Sequence, residues 1–440
     1  MHIHRNIIDE LQQWQGRNQR KPLILQGARQ TGKTWIMRAF GSHYFDYTAE
    51  FNFDRTKELA EIFDRTKDVH RILNELALFS TVPMIPGKTL IIFDEIQECS
   101  GALNSLKYFC EDAPEYHIVA AGSLLGVSMR NKKMTVPVGK VEMLNMKPVS
   151  FQEFIHTTDK NIHDFIQNVS EIKPLPAIIF NRLLEEYKRY QLTGGMPEAV
   201  VALLENQGMS RVEDILQNIL NLYAIDFSKY AEAAQIARIN NIWSSLPSQL
   251  AKENRKFIYK VVKTGARARE YEDSLLWLEE AGLVYRVYHA SKPGLPLSAY
   301  RDVSSFKLYA FDSGILRRLA KLPPEVILSG HSGYTEFKGA LAENAILQAL
   351  IPQFDEKPYY WTSGNKAEID FLIQSSSNII PVEVKSEQRV SGKSMSVYHK
   401  KFNPGIRIRF SLNNLHQENG FINIPAFLAD WTKRLIEPNK

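Results

Sequence analysis

The stretch "LILQGARQTGKT" (residues 23–34) carries two signals back to back. Leu23, Ile24 and Leu25 are an apolar run, and segment 21–26 reads as a short buried strand. Residues 27–34 then fit G-x-x-x-x-G-K-[ST] in full. Gly27 and Gly32 admit backbone conformations that other residues resist. In this pattern the backbone N–H groups of Gly27, Ala28, Arg29, Gln30, Thr31 and Gly32 cradle a polyphosphate, Lys33 reaches the β and γ phosphates, and Thr34 ligates Mg²⁺. A helix from near Lys33 to about Phe40 adds the positive end of its dipole. A chance glycine turn would need neither the strand before it nor the helix after it. The expected cofactors are ATP and Mg²⁺.

Working outward, "TLIIFDE" (89–95) is a β-rich run that closes in two acids. Groups at the C-terminal ends of strands are where open α/β sheets bind ligands. Asp94 is expected to hold Mg²⁺, and Glu95 to orient and deprotonate the attacking water. Alone, the two acids read equally well as a solvated strand end; the matched phosphate loop decides for function. "HIVAAGS" (117–123) is another buried strand, and Ser123 at its end is a candidate γ-phosphate sensor, with a turn-starting small residue as the plainer reading. Arg130 and Lys140 are candidate charge-stabilising groups, for each of which a solvated surface is the simpler account. No arginine finger is identifiable. With "AEFNFD" (49–54) as a further strand, strands alternate with helical segments, which argues for a parallel α/β sheet.

The chain has 440 residues, enough for two to four domains at about 100–200 residues each. A 44% hydrophobic, 23% charged composition suits a soluble globular protein. A net charge of +5 permits a nucleic-acid partner without arguing for one. The two cysteines, Cys99 and Cys110, have no zinc-site spacing and are expected to be structural thiols in a reducing compartment. The N-terminus lacks the apolar core of a signal peptide, and "HIVAAGSLLGVSM" falls short of the roughly 18 residues that span a membrane. A cytoplasmic location is expected.

From about 152 to 235 the pattern is helical, interrupted by "TGGMPEAV" (193–200), where Gly194, Gly195 and Pro197 force a turn. Residues 258–290 read as turn, helix, then strand, the outline of a winged helix. Lys260, Lys263, Arg267 and Arg269 lie where such a fold meets phosphates or a groove, although Glu270, Glu272 and Asp273 dilute the charge. Nearer the end, Glu343 lies on the helix "GALAENAIL", Asp370 in the strand "EIDFLI", and Glu383 and Lys385 in "PVEVKS". Strand residues two apart share a face, so Glu383 and Lys385 project together. Glu343, Asp370 and Glu383 are the expected ligands of a divalent cation, with Lys385 beside them as a catalytic cation. The competing reading is a salt-bridged sheet face.

These residues carry a resemblance. The chain is similar to a large prokaryotic family of AAA+-like ATPases whose C-terminal domain, of unknown function, is related to PD-(D/E)xK nucleases. The matching stretches are "LILQGARQTGKT", "LIIFDEIQ", "VAAGS", "VGKVEMLNMKPVSFQEF", "LTGGMPEAV", "KLYAFDSGIL", "GALAENAIL" and "YYWTSGNKAEIDFLI…IIPVEVKS". The resemblance implies an ASCE-type P-loop core, a helical and winged-helix middle, and a nuclease-like end. Family members usually carry Gly-Arg where this chain has Gly139-Lys140, and lysine keeps the charge but not the planar fork.

The expected fold class is α/β: a P-loop NTPase parallel sheet over 1–150, a helical region over 151–235, a winged-helix-like domain over 236–330 and a PD-(D/E)xK-like α/β domain over 331–440. The expected function is Mg²⁺-dependent ATP binding and hydrolysis coupled to DNA. The rival is an ATP-gated regulatory or scaffold protein whose C-terminal domain binds a partner without cleaving nucleic acid. A further rival is a nuclease whose loop binds nucleotide without turning it over.

Overall fold

Leu23–Gln26 (β1), Tyr47–Asn52 (β2), Thr89–Asp94 (β3), His117–Ala121 (β4) and Glu142–Asn145 (β5) form one sheet in the order β2-β3-β4-β1-β5. Every neighbouring pair is parallel. The computed structural model describes residues 2–123, 125–130, 137–169, 171–252, 255–329, 335–364, 367–386 and 392–437. β1 and β3 are nearly all apolar because helices cover both faces of a parallel sheet. Their side chains alternate between two cores. Leu23, Leu25, Leu90 and Ile92 pack with Ile36, Met37 and Phe40 of the helix Lys33–Tyr44 on one face. Ile24, Ile91 and Phe93 pack with Phe63 and Phe109 on the other. β5, absent from the sequence reading, is a four-residue edge strand whose residues alternate between partly buried and exposed.

This sheet belongs to a unit comprising Arg5–Lys147 and Glu280–Gly282. The second unit comprises Met1–His4, Pro148–Glu279 and Leu283–Lys440. Its helical part includes Phe151–Thr158, started by a reciprocal capping box between Ser150 and Glu153, and the long helices Ala177–Thr193 and Met209–Tyr230. Its sheet runs through Val284–Ala290 (β6), Arg301–Ala310 (β7), Tyr359–Thr362 (β8), Glu368–Ser375 (β9), Asn378–Val384 (β10), Arg407–Ser411 (β11), His416–Glu418 (β12) and Phe421–Pro425 (β13). The order is β12-β13-β11-β10-β9-β8-β6-β7, with parallel and antiparallel pairs mixed.

Three helices, Ala233–Leu250, Tyr259–Val262 and Ala268–Glu280, precede the hairpin β6–β7. The hairpin is not a free-standing wing. β6 also pairs with β8 at His289 and Tyr360, so residues expected in separate domains on either side of position 330 share one sheet. The two sheet edges differ in how they end. β12 is three exposed residues, His416, Gln417 and Glu418. The outer half of β7 is exposed around Arg301 and Ser304, and further in, the Phe306 carbonyl accepts from Phe257 N–H at 2.8 Å.

The "TGG" and "DSG" stretches meet in this unit. Asp312, fully buried, caps the helix Ser313–Leu319 by accepting from Ile315 N–H at 2.9 Å, and it accepts from Gly195 N–H at 2.7 Å. Gln348 Nε2 donates to the same carboxylate at 3.0 Å. The backbones approach so closely that a Cβ on Gly194 would lie 2.3 Å from Asp312 Oδ1, and one on Gly314 would lie 2.2 Å from the Thr193 carbonyl oxygen. The turn read from the two glycines is therefore a packing surface. Gly314→Ala should destabilise this unit by about 3 kcal/mol, since a rigid carbonyl must move. Its urea midpoint, followed by tryptophan fluorescence, should fall clearly; an unchanged midpoint would show that the contact yields freely.

Candidate functional site

The parallel sheet sets the site. β1 ends at the phosphate loop, β3 ends at Asp94, and β4, between them, leads to Ser123. All three segments therefore emerge at the C-terminal edge of adjacent strands. Gly27 has φ of +143°, and a Cβ there would lie 2.2 Å from the Met146 carbonyl oxygen. Gly32, at φ +94°, is the left-handed residue from which the helix Lys33–Tyr44 departs. Thr31 is fully buried and donates through its hydroxyl to the Ala28 carbonyl at 2.9 Å. Arg5 buttresses the loop from outside, donating to the carbonyls of Thr31 at 3.1 Å and Lys147 at 2.6 Å.

Lys33 lies folded back along the loop, its ammonium donating to the carbonyls of Gly27 and Ala28, both at 2.8 Å. Burial lowers its pKa to about 8 against the opposing pull of Glu95 and Asp94, while Arg29 adds to the lowering. Thr34 Oγ1 donates to the Asp94 carboxylate, at 3.1 Å to Oδ2 and 3.3 Å to Oδ1. Burial, reinforced by neighbouring Glu95, raises the Asp94 pKa. Thr34 and Asp94 are adjacent oxygen donors of the kind Mg²⁺ takes, and a dication there would offset the repulsion between the two acids.

Glu95 follows Asp94 in a left-handed backbone conformation, φ +52°, and opens a short 3-10 turn, Ile96–Glu98. Gln97 Nε2 donates to Glu95 Oε2. Ser123 is half-buried in the turn after β4. Lys140 is paired with Glu111 at 2.7 Å, and the Arg130 side chain lies outside the described residues. The sequence reading missed Asn52, whose Nδ2 donates to Asp94 Oδ2 at 3.2 Å from the end of β2. A polar residue at the C-terminal end of a strand neighbouring β3 was the available signal.

In the other unit, Glu343 and Asp370 come together, but cations from distant sequence meet them. Arg255 Nη1 pairs with Glu343 Oε1, Tyr309 OH donates to Glu343 Oε2 at 2.9 Å, and the ammonium of fully buried Lys307 lies 4.0 Å from the same oxygen and pairs also with Glu368. Asp370 Oδ2 accepts from Val384 N–H at 2.8 Å. Burial and the charge of Glu343 push the Asp370 pKa well up. Burial also acts to raise Glu343, but Arg255, Lys307 and the Tyr309 hydroxyl outweigh it and hold that carboxyl low. The two carboxyls are therefore pushed in opposite directions, Glu343 down and Asp370 up.

Glu383 and Lys385 do share a face, their charged atoms 3.1 Å apart, and Arg409 Nε donates to the other Glu383 oxygen at 2.9 Å. Of the residues expected to form a metal centre, Glu343 and Asp370 come together, while Glu383 pairs with Lys385 and Arg409. Among the described residues, no group of three or more His, Cys, Asp or Glu side chains is arranged to hold a metal ion. Internal cations pair with Glu343 and Glu383. The four basic residues of the middle segment, Lys260, Lys263, Arg267 and Arg269, are all exposed, while Glu272 pairs with Arg286 at 2.7 Å. Among the described residues no helix is long and apolar enough to cross a membrane.

Comparison with known proteins divides the chain in three. Residues 338–427 match a domain of unknown function, DUF4143, and residues 184–326 match another, DUF8612. No curated protein matches. Among solved structures, similarity extends to a Walker-type ATPase of Pyrococcus abyssi, at 14% identity and a TM-score of 0.45, over 72% of this chain and 96% of that one. It extends also to the ORC2 protein of Aeropyrum pernix, at 12% identity and a TM-score of 0.37, over 78% and 94% of the two chains. The RuvB Holliday junction branch migration motor of Thermotoga maritima is similar at 14% identity, with a TM-score of 0.31, over 65% and 90%. Residues 19–155 match the model of an AAA domain, and with the five-stranded parallel sheet and its phosphate loop they form an AAA-type P-loop ATPase fold.

Proposed function

We propose that the chain binds ATP with Mg²⁺ and hydrolyses it at the C-terminal edge of the parallel sheet. The observation that carries this reading is the direct contact between Thr34 and Asp94, beside Lys33 at the helix N-terminus and next to Glu95. The loop N–H groups from Gly27 to Gly32 cradle the phosphates. Lys33 leaves its carbonyl partners to meet the β and γ phosphates. Thr34 and Asp94 would hold Mg²⁺, which when bound neutralises charge on the phosphate oxygens. Glu95 takes the proton of the attacking water, and Ser123 donates to the γ-phosphate.

The second unit supports the partner-binding alternative better than nucleic-acid cleavage. The cations paired with Glu343 and Glu383 favour a scaffold in which these acids hold the domain together. DNA contact through Lys260, Lys263, Arg267 and Arg269 is the finer reading that remains attached to the exposed basic surface.

Three outcomes test these readings. Glu95→Gln should still bind ATP while turnover falls on the order of 10²-fold, as for loss of a positioned general base; equal turnover in the variant and parent would reject the assignment. Without divalent cation, ATP affinity should be full below pH 8 and decline as pH rises through about 8. The sign follows because phosphate contact favours protonated Lys33, which the free protein loses above that pH; calorimetry across pH 7–9.5 reads it, and Lys33→Ala should abolish the dependence together with the binding. If the middle segment meets DNA, duplex affinity should fall steeply with salt, and the Arg267→Ala/Arg269→Ala variant should flatten that slope. No binding to duplex, junction or single strand at low salt would leave the scaffold reading.

A further inference from the structure

We infer that Gln97 is a positioning residue that holds the Glu95 carboxylate in its working orientation. This rests on the reading of Glu95 as the base. The side-chain amide of Gln97 donates to Glu95 Oε2 across the short turn that follows β3. Ile96 between them is fully buried and anchors that turn. Lys33, whose ammonium donates to the Gly27 and Ala28 carbonyls, is a nearby cation that feels the Glu95 charge. The amide of Gln97 is a neutral donor that holds the carboxylate at the turn and leaves Lys33 to the phosphates.

The other half of the amide argues that the donor is what matters. Gln97 Oε1 is buried and has no hydrogen-bond partner. A buried acceptor without a partner is disfavoured, and a methionine of similar length would fill the space without one. The residue is therefore placed at a cost that only its N–H₂ group offsets. Gly122, the glycine of "VAAGS", makes room for it: a Cβ there would lie 2.5 Å from Gln97 Oε1. Because that oxygen ends a flexible side chain, a methyl group at 122 would displace the amide without disturbing the backbone.

The test is steady-state and single-turnover ATP hydrolysis by Gln97→Met, Gly122→Ala and Glu95→Gln, and by Gln97→Met combined with Glu95→Gln. Gln97→Met should lower kcat by about tenfold, the lower end for misplacing a general base, with KM for ATP within about twofold of the parent. Its melting temperature should be unchanged or higher, because the orphaned acceptor is gone. Gly122→Ala should give the same kinetic pattern. In the Glu95→Gln background, Gln97→Met should add nothing, since the residue acts through Glu95. A parental kcat in Gln97→Met, or a loss that multiplies with that of Glu95→Gln, would overturn the inference while leaving Glu95 in place. Parental turnover in Glu95→Gln would overturn the reading of the base itself.

Discussion

A carboxylate taken out of water must be given partners, and both units are organised around that demand. Asp94, buried at the end of β3, meets Thr34 and Asn52, which ties the helix after the phosphate loop and the end of β2 to one point. Asp312, fully buried, receives backbone N–H groups from the glycine turn and from its own helix, together with the Gln348 amide. Glu343 leans on Arg255, Lys307 and Tyr309, with Asp370 close by accepting from Val384 N–H. In each case the acid draws elements distant in sequence to a common point.

The three centres differ in what they leave available. Asp312 is surrounded by neutral donors, backbone N–H groups and the Gln348 amide, so it serves architecture. Glu343 and Asp370 have internal cations at hand and offer little charge to an outside ion. Asp94 has the Thr34 hydroxyl and the Asn52 amide among its hydrogen-bonding partners, together with the Glu95 backbone and a second acid beside it. Repulsion between two adjacent acids is a field that an added dication would offset.

The N-terminal site was largely legible because its chemistry is local: the phosphate loop is contiguous, and Asp94 and Glu95 end an unmistakable buried run. β5 escaped notice because an edge strand of four residues with exposed positions has no apolar signature. The role of "TGGMPEAV" was legible as a turn but not as a docking surface, since its partner Asp312 lies 117 residues from Gly195. The C-terminal acids were visible as a set, and Glu343 does meet Asp370. Their neutralisation was hidden, because Arg255 stands 88 residues before Glu343 and nothing local to either announces the pairing. Periodicity and motifs report neighbours along the chain, while the charge balance of a buried cluster is a property of the assembled sheet.

The ends of the eight-stranded sheet bear on how the chain behaves in company. An open sheet of this width presents two rows of unpaired backbone groups to any other copy. Here β12 is too short and too polar to template a neighbour, and the outer half of β7 carries Arg301 and Ser304, with Phe257 occupying the carbonyl of Phe306. Neither border can be lengthened by a strand from another molecule without first displacing a bond already made or burying a charge. Such borders oppose ribbon-like self-association through the sheet edges.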